Sequence, residues 1–138
     1  VGEDMPQEKN GVTLHATEKD QHGLPVPNVH FDDHANDVAM REHAFTQGSA
    51  VYDAVGAVKT FRTPPYPSTH NLGTNRMSEN ARDGVVNKHG QAHDVKNLFV
   101  MDGSCFVSCG CQNPTLTIMA LAVRGCDHLM EEMKRGNV

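Results

Sequence analysis

No stretch of this sequence approaches the roughly 18 consecutive apolar residues that a membrane-crossing helix needs. Mean hydropathy is −0.50, and charged residues make up 21% of the chain. Positive charge is scarce: 12 Lys and Arg stand against 17 Asp and Glu, a net charge of −5. That balance argues against nucleic acid or an anionic membrane surface as partner. There is no internal repeat and no low-complexity tract. Residues 1–10 hold no apolar signal-peptide core, and the first residue is Val1 rather than Met, so a processed product or a piece of a longer protein is expected. The four cysteines, Cys105, Cys109, Cys111 and Cys126, all fall in the last quarter. Three of them within seven residues do not look like the disulfide framework of a small secreted domain.

What remains is 138 residues, 38% of them hydrophobic. That is one ordinary domain or two small lobes, with a core that needs no staples. Residues 12–16 and 28–32 alternate weakly and read as short strands around a turn marked by Gly23, Pro25 and Pro27. Asp32 or Asp33 is placed to cap a helix that runs to Val55 and stops at Gly56. Val38, Phe45, Tyr52 and Val55 put an apolar stripe on it. A further strand is expected at 57–62, then an irregular Pro-rich connection at 63–68. Residues 97–101 form an apolar run that reads as a buried strand ending in Asp102-Gly103-Ser104. Asn113 as N-cap and Pro114 in the first turn open a last helix. Leu116, Met119, Ala120, Val123, Met130 and Met133 follow helical spacing on it, and Lys134, Arg135 and Gly136 close it.

Four places carry chemistry-bearing residues. His70 sits beside the Gly73-Thr74 turn; it is either a proton-transferring base near neutral pH or an ordinary turn histidine. Asp102 and Gly103 lie at a strand end, where ligands of α/β sheets bind, although a tight turn alone would also require glycine. Asn113-Pro114-Thr115 opens a helix whose N-terminus offers free N–H donors and a positive dipole end; plain capping by Asn113 is the other reading. Cys109 and Cys111 are one residue apart, a spacing that does not suit zinc, so no metal site is expected.

Taken in order, these pieces resemble the C-terminal part of a glucose–methanol–choline (GMC) oxidoreductase. That family shows His-x-x-Gly-Thr-x-Arg-Met, matched at His70 to Met77. It shows Asn-Leu-[Phe/Tyr]-Val-x-Asp-Gly-Ser, matched at Asn97 to Ser104. It shows Asn-Pro-x-Leu-Thr-Ile-x-Ala-Leu-Ala, matched at Asn113 to Ala122. Each stretch alone is weak; the ordered set is specific. A softer likeness to the sugar and gluconate dehydrogenase branch runs over residues 8–62. Two departures stand out: Ser78 replaces the usual Gly after Arg-Met, and Val107-Ser108-Cys109-Gly110-Cys111 replaces a Pro-Thr-Ser-Gly-Gly-like loop. The family's Gly-x-Gly-x-x-Gly turn for the FAD pyrophosphate does not occur here, which makes the chain look like about the last quarter of a longer enzyme.

The resemblance implies an α+β fragment in two parts. Residues 1–69 would supply strands and a helix of a substrate-binding lobe. Residues 70–138 would carry the active-site histidine and return into an FAD-binding α/β lobe through a strand and the long C-terminal helix. It implies oxidation of an alcohol group of a sugar, sugar acid or polyol by hydride transfer to flavin. His70 would be the base and Asn113 its catalytic partner. Asp102, Gly103, Asn113, Pro114 and Thr115 would contact the FAD, shared with the rest of the polypeptide. Partners would be a small-molecule alcohol, the remainder of the same chain, and an electron-acceptor subunit or cytochrome. A small stand-alone, non-catalytic binding module is the competing reading from another class.

Overall fold

In this computed structural model, residues 2–64 and 70–138 are described. Contacts group the chain into two units, Val1–Pro67 and Ser68–Val138. Among the described residues there are two antiparallel strands and two long helices, an α+β composition.

The first unit begins with a hairpin of β1 (Gly11–Lys19) and β2 (Pro25–His30), paired from Gly11↔His30 to Leu14↔Pro27, with an irregularity before Lys19↔Pro25. Asp20 closes its turn: the carboxylate accepts from the N–H groups of His22 (2.8 Å) and Leu24 (3.0 Å). Such an Asp reproduces a backbone turn with its own side chain. At the other end Asn10 and Asp32 clamp the strands. Asn10 Oδ1 accepts from Asp32 N–H at 2.9 Å, and Asn10 Nδ2 donates to the Asp32 carbonyl at 3.0 Å.

That clamp decides where α1 (Ala35–Ala54) starts. Asp32 is engaged with Lys9 and Asn10, and Asp33 with both guanidinium nitrogens of Arg41. The cap expected at Asp32 or Asp33 therefore moves to His34, whose Nδ1 accepts from Asn36 N–H at 3.1 Å. Asp37 returns the favour, accepting from His34 N–H at 2.8 Å and Met5 N–H at 2.9 Å, and is fully buried. Two backbone donors satisfied by one carboxylate make a reciprocal cap that also pins the N-terminal segment. Nearby Asp4 is held above the usual carboxylate range, first by burial and then by repulsion from Asp37 and Asp33.

The strand expected at 57–62 is absent. Arg62 instead pairs with Glu42 and lies 5.3 Å over the Phe45 ring, so the segment folds back along α1 and finds no strand to pair with. Val38, Tyr52 and Val55 of the α1 stripe stand exposed. The connection expected at 63–68 lies, from residue 65 on, outside the described residues.

The second unit is irregular up to α2 (Thr115–Arg135). Its core is small: Val86, Ala92 and Cys105 are its buried hydrophobic residues among those described. Backbone bonds between turns hold it, among them Ser78 N–H to Val86 O (2.9 Å), Ala92 N–H to Leu98 O (2.9 Å) and Val100 N–H to Gly90 O (2.8 Å). Residues 97–101 are not a strand here, which corrects the expected returning strand. Phe99 makes one isolated bridge, to Gln91. A strand exists only through a partner's ladder of hydrogen bonds, and this run has turns beside it. Nor does Asn113 cap α2. The helix begins after a buried Pro114, whose carbonyl takes Ile118 N–H at 2.9 Å, with no side-chain cap. Gly136, in the left-handed region, ends it.

Helix α2 is apolar on two sides. Ile118, Leu121, Gly125 and His128 line one side and pack inward; Gly125 is buried, and a Cβ there would lie 2.8 Å from the Met101 methyl and 2.9 Å from the His89 carbonyl. The stripe of Leu116, Met119, Val123, Met130 and Met133 points away and is 55–79% exposed.

Asp37 generates a stability prediction. Asp37→Ala orphans two backbone donors and is expected to destabilise by about 1–3 kcal/mol. Asp37→Asn keeps one acceptor oxygen and should lose less. Denaturant unfolding of both variants measures the order; equal stability of Asp37→Ala and parent contradicts it.

Candidate active site

Three sequence segments of the second unit converge at Gly103. Asp102 ends an extended stretch and caps a single 3-10 turn, Gly103–Cys105, by accepting from Ser104 N–H at 2.8 Å. The turn lies so close to its neighbours that a Cβ on Gly103 would sit 2.5 Å from Leu72 Cδ2, 3.3 Å from Ile118 Cδ1 and 3.9 Å from the Asn71 carbonyl. A side chain there would have to displace the Leu72 and Ile118 methyl ends; the backbone is not left-handed. Leu72 is two residues from His70, and Ile118 lies in the first turn of α2. One contact thus joins the histidine segment, the Asp-Gly turn and the helix start.

Backbone bonds lace the same segments: Asn75 N–H donates to Ser104 O at 3.0 Å and Met77 N–H to Cys105 O at 2.9 Å. His70 is half-buried at the head of its segment. Asp102 accepts from the Ser104 hydroxyl at 2.5 Å as well as from its N–H, and both bonds go to Oδ1. They hold its carboxyl below the usual range, hydroxyl first, with partial burial opposing. Among the described residues no donor meets Oδ2. Asn113 and Thr115 are exposed and Pro114 is buried.

These groups form a coherent donor and acceptor set. The uncapped first turn of α2 presents N–H groups and the positive end of the helix dipole, suited to an electron-rich ring edge or an anion. The Asp102 carboxylate, ionised and exposed, accepts from hydroxyl groups. Both features fit what FAD offers, a ring carbonyl edge and ribityl hydroxyls.

The sequence reading missed a second cluster. His89 stacks on His128, ring centroids 3.9 Å apart and 17° from parallel, and Phe99 tilts onto His128 at 6.5 Å. Arg124 donates to the Lys88 carbonyl. The Lys88–Gly90 turn is thereby fixed to α2 beside Met101 and Asp102, with which it lines a small cleft. His89 Nδ1 and His93 Nε2 are buried with no hydrogen-bond partner among the described residues. Nothing in local spacing marks a pair 39 positions apart. Among the described residues no group of three or more His, Cys, Asp or Glu is placed to hold a metal ion. Burial raises the Cys105 thiol above its usual range.

Comparison with known proteins gives the family. The family model described as GMC oxidoreductase matches residues 6–122. The 2-methyl-1,2-propanediol dehydrogenase of Mycolicibacterium austroafricanum is 45% identical over 131 residues, 93% of this chain and 24% of that protein. The fructose dehydrogenase large subunit of Gluconobacter japonicus is 31% identical over 135 residues, 96% of this chain and 24% of that protein. The gluconate 2-dehydrogenase flavoprotein of Pantoea cypripedii is 28% identical over 133 residues, 89% of this chain and 22% of that protein. The chain spans about a quarter of the length of the curated relatives it matches.

The histidine stack generates a pH prediction. His89 is held below the usual imidazole range, first by burial and then by His128, Lys88 and Arg124, with Glu131 opposing. The unfolded chain then binds the proton more readily than the folded one, so stability falls as pH drops below about 6.5 and levels off below the folded value. His89→Phe keeps a ring on His128 and removes the buried nitrogen. The melting temperature of this variant should fall less than the parent's between pH 7.5 and 5.5; parallel curves would contradict the assignment.

Proposed function

Because the chain belongs to the GMC oxidoreductase family, we propose that it is the C-terminal part of an FAD-dependent enzyme that oxidises an alcohol group of a sugar, sugar acid or polyol. The observation that carries this is the convergence at Gly103, where the His70 segment, the Asp102 turn and the open end of α2 meet. The relatives support the substrate class: their names are those of propanediol, fructose and gluconate dehydrogenases, and one is by name a flavoprotein. FAD, when bound, supplies the hydride acceptor. His70 takes the hydroxyl proton on a ring nitrogen, which raises electron density on the carbinol carbon and favours loss of hydride. The Asn113 amide, exposed and without a capping role, donates to the substrate oxygen as it gains charge. Asp102 holds cofactor hydroxyls, and the first turn of α2, from Thr115 on, presents N–H donors to the ring edge beside Pro114.

The lobes follow from the same reading. Residues 1–69 belong to the substrate-binding lobe. Residues 70–138 carry the histidine and return into the FAD-binding lobe, where the 97–101 run would gain its missing partner strand. The exposed stripe on α2 is a surface for the rest of the polypeptide; a helix apolar on two sides is an interior helix. That exposure counts against a free-standing binding module. An electron-acceptor subunit or cytochrome is the further partner; the name of the Gluconobacter japonicus relative, a large subunit, supports this.

Two variants of the full-length protein test the roles. His70→Ala should slow turnover by about 10²–10⁴-fold while the purified protein keeps its flavin. Turnover within a fewfold of the parent would leave His70 a turn histidine. Asn113→Asp removes the NH₂ donor and places a carboxylate against the developing charge. Turnover should drop at least about 100-fold with an unchanged melting temperature, since no cap is lost. A stability loss with full activity would refute the catalytic role.

A further inference from the structure

Asn75 lies at the last of the three variable positions of the His-x-x-Gly-Thr-x-Arg-Met segment, and the motif gives it no role. Its Nδ2 donates to Ser104 Oγ at 3.1 Å, in a half-buried contact spanning 29 residues. Ser104 Oγ donates in turn to Asp102 Oδ1 at 2.5 Å. A hydroxyl has one proton. When that proton goes to Asp102, the third group on Ser104 must be a donor, and the amide NH₂ of Asn75 is one. The chain of bonds therefore has a direction, from the histidine segment to the carboxylate. It orients Asp102 so that Oδ1 is engaged inward and Oδ2 stays clear.

Resting on the reading that Asp102 faces the cofactor, we propose that Asn75 is a positioning residue: through Ser104 it fixes the Asp102 carboxylate for the FAD hydroxyls and ties cofactor binding to the segment that bears His70. Asn75 need not touch the cofactor. The backbone bond from Asn75 N–H to Ser104 O is independent of its side chain, so side-chain variants keep the lacing of the two segments.

The experiment titrates full-length apoprotein with FAD and follows flavin fluorescence, a readout independent of turnover. Asn75→Ala and Ser104→Ala should each weaken FAD affinity about tenfold, and the double variant should be no weaker than the weaker single, because both break one chain. Asn75→Asp is the directional test. At pH 8 its carboxylate cannot donate, competes for the Ser104 proton and repels Asp102, so affinity should fall below that of Asn75→Ala. A merely space-filling Asn75 would tolerate the near-isosteric Asp better than Ala. The proposal is overturned if Asn75→Ala binds FAD as the parent does, if the two alanine effects simply add, or if Asn75→Asp binds better than Asn75→Ala. If the parent protein takes up no FAD at all, the functional reading falls with it; if the parent binds FAD normally and only these variants fail to respond, this inference alone falls.

Discussion

In the second unit the candidate site is built on the meeting of the Gly103 turn with Leu72 and Ile118. A Cβ at residue 103 would press to 2.5 Å from Leu72, well inside van der Waals contact. With glycine there, three segments separated by about 30 and 15 residues meet without a large core behind them. Val86, Ala92 and Cys105 are too few to impose that meeting by burial. Backbone bonds from Asn75 and Met77 to Ser104 and Cys105, and the inward side of α2, do it instead. The site is thus a hydrogen-bonded construction on a thin apolar base. Small side-chain changes at the joints should be felt at Asp102 and His70 before they are felt in the fold.

Local rules made the helices legible. Periodicity and the Lys134-Arg135-Gly136 ending marked α2, and Gly56 marked the end of α1. The hairpin was legible from alternation and turn residues. The failures share a cause: each was a competition between partners that single-residue rules do not see. Asp32 and Asp33 are good caps, but Lys9 and Arg41 claim their carboxylates, and the weaker capper His34 takes the position with help from Asp37. Residues 57–62 have strand composition, but Arg62 finds Glu42 and Phe45. Residues 97–101 have the composition of a buried strand without the neighbour that would make them one.

For the site, the ordered motifs named the segments, and the structure adds how they touch. The motif singled out Gly103 for a turn; the structure adds that Leu72 and Ile118 pack against it. The motif left Asn75 unassigned, because a side chain that acts through another leaves no local signature. The His89–His128 stack was invisible for a similar reason: nine histidines scattered along the chain give no hint which two will meet.

The exposed apolar faces bear on the same point. On α2 the inward side, Ile118, Leu121, Gly125 and His128, is spent on holding the unit's turns, and the outward side, from Leu116 to Met133, has no neighbour among the described residues. A single helix that presented this stripe to water would be an association hazard. The relatives it matches are about four times longer, and on the proposed reading the same stripe would be an anchor. The helix would then have two tasks at once: its buried side packs on the Gly103 turn, and its outer side would meet the rest of the polypeptide. Its uncapped N-terminus, held in place from both sides, becomes a rigid source of N–H donors. Rigidity is what charge stabilisation requires, since donors that are already aimed need no reorganisation when charge develops. An Asn113 side chain folded back as a cap would have satisfied those donors locally and removed them from the chemistry. On the proposed reading the missing cap leaves the helix start for a ligand, with a stability contribution of about 1 kcal/mol forgone there.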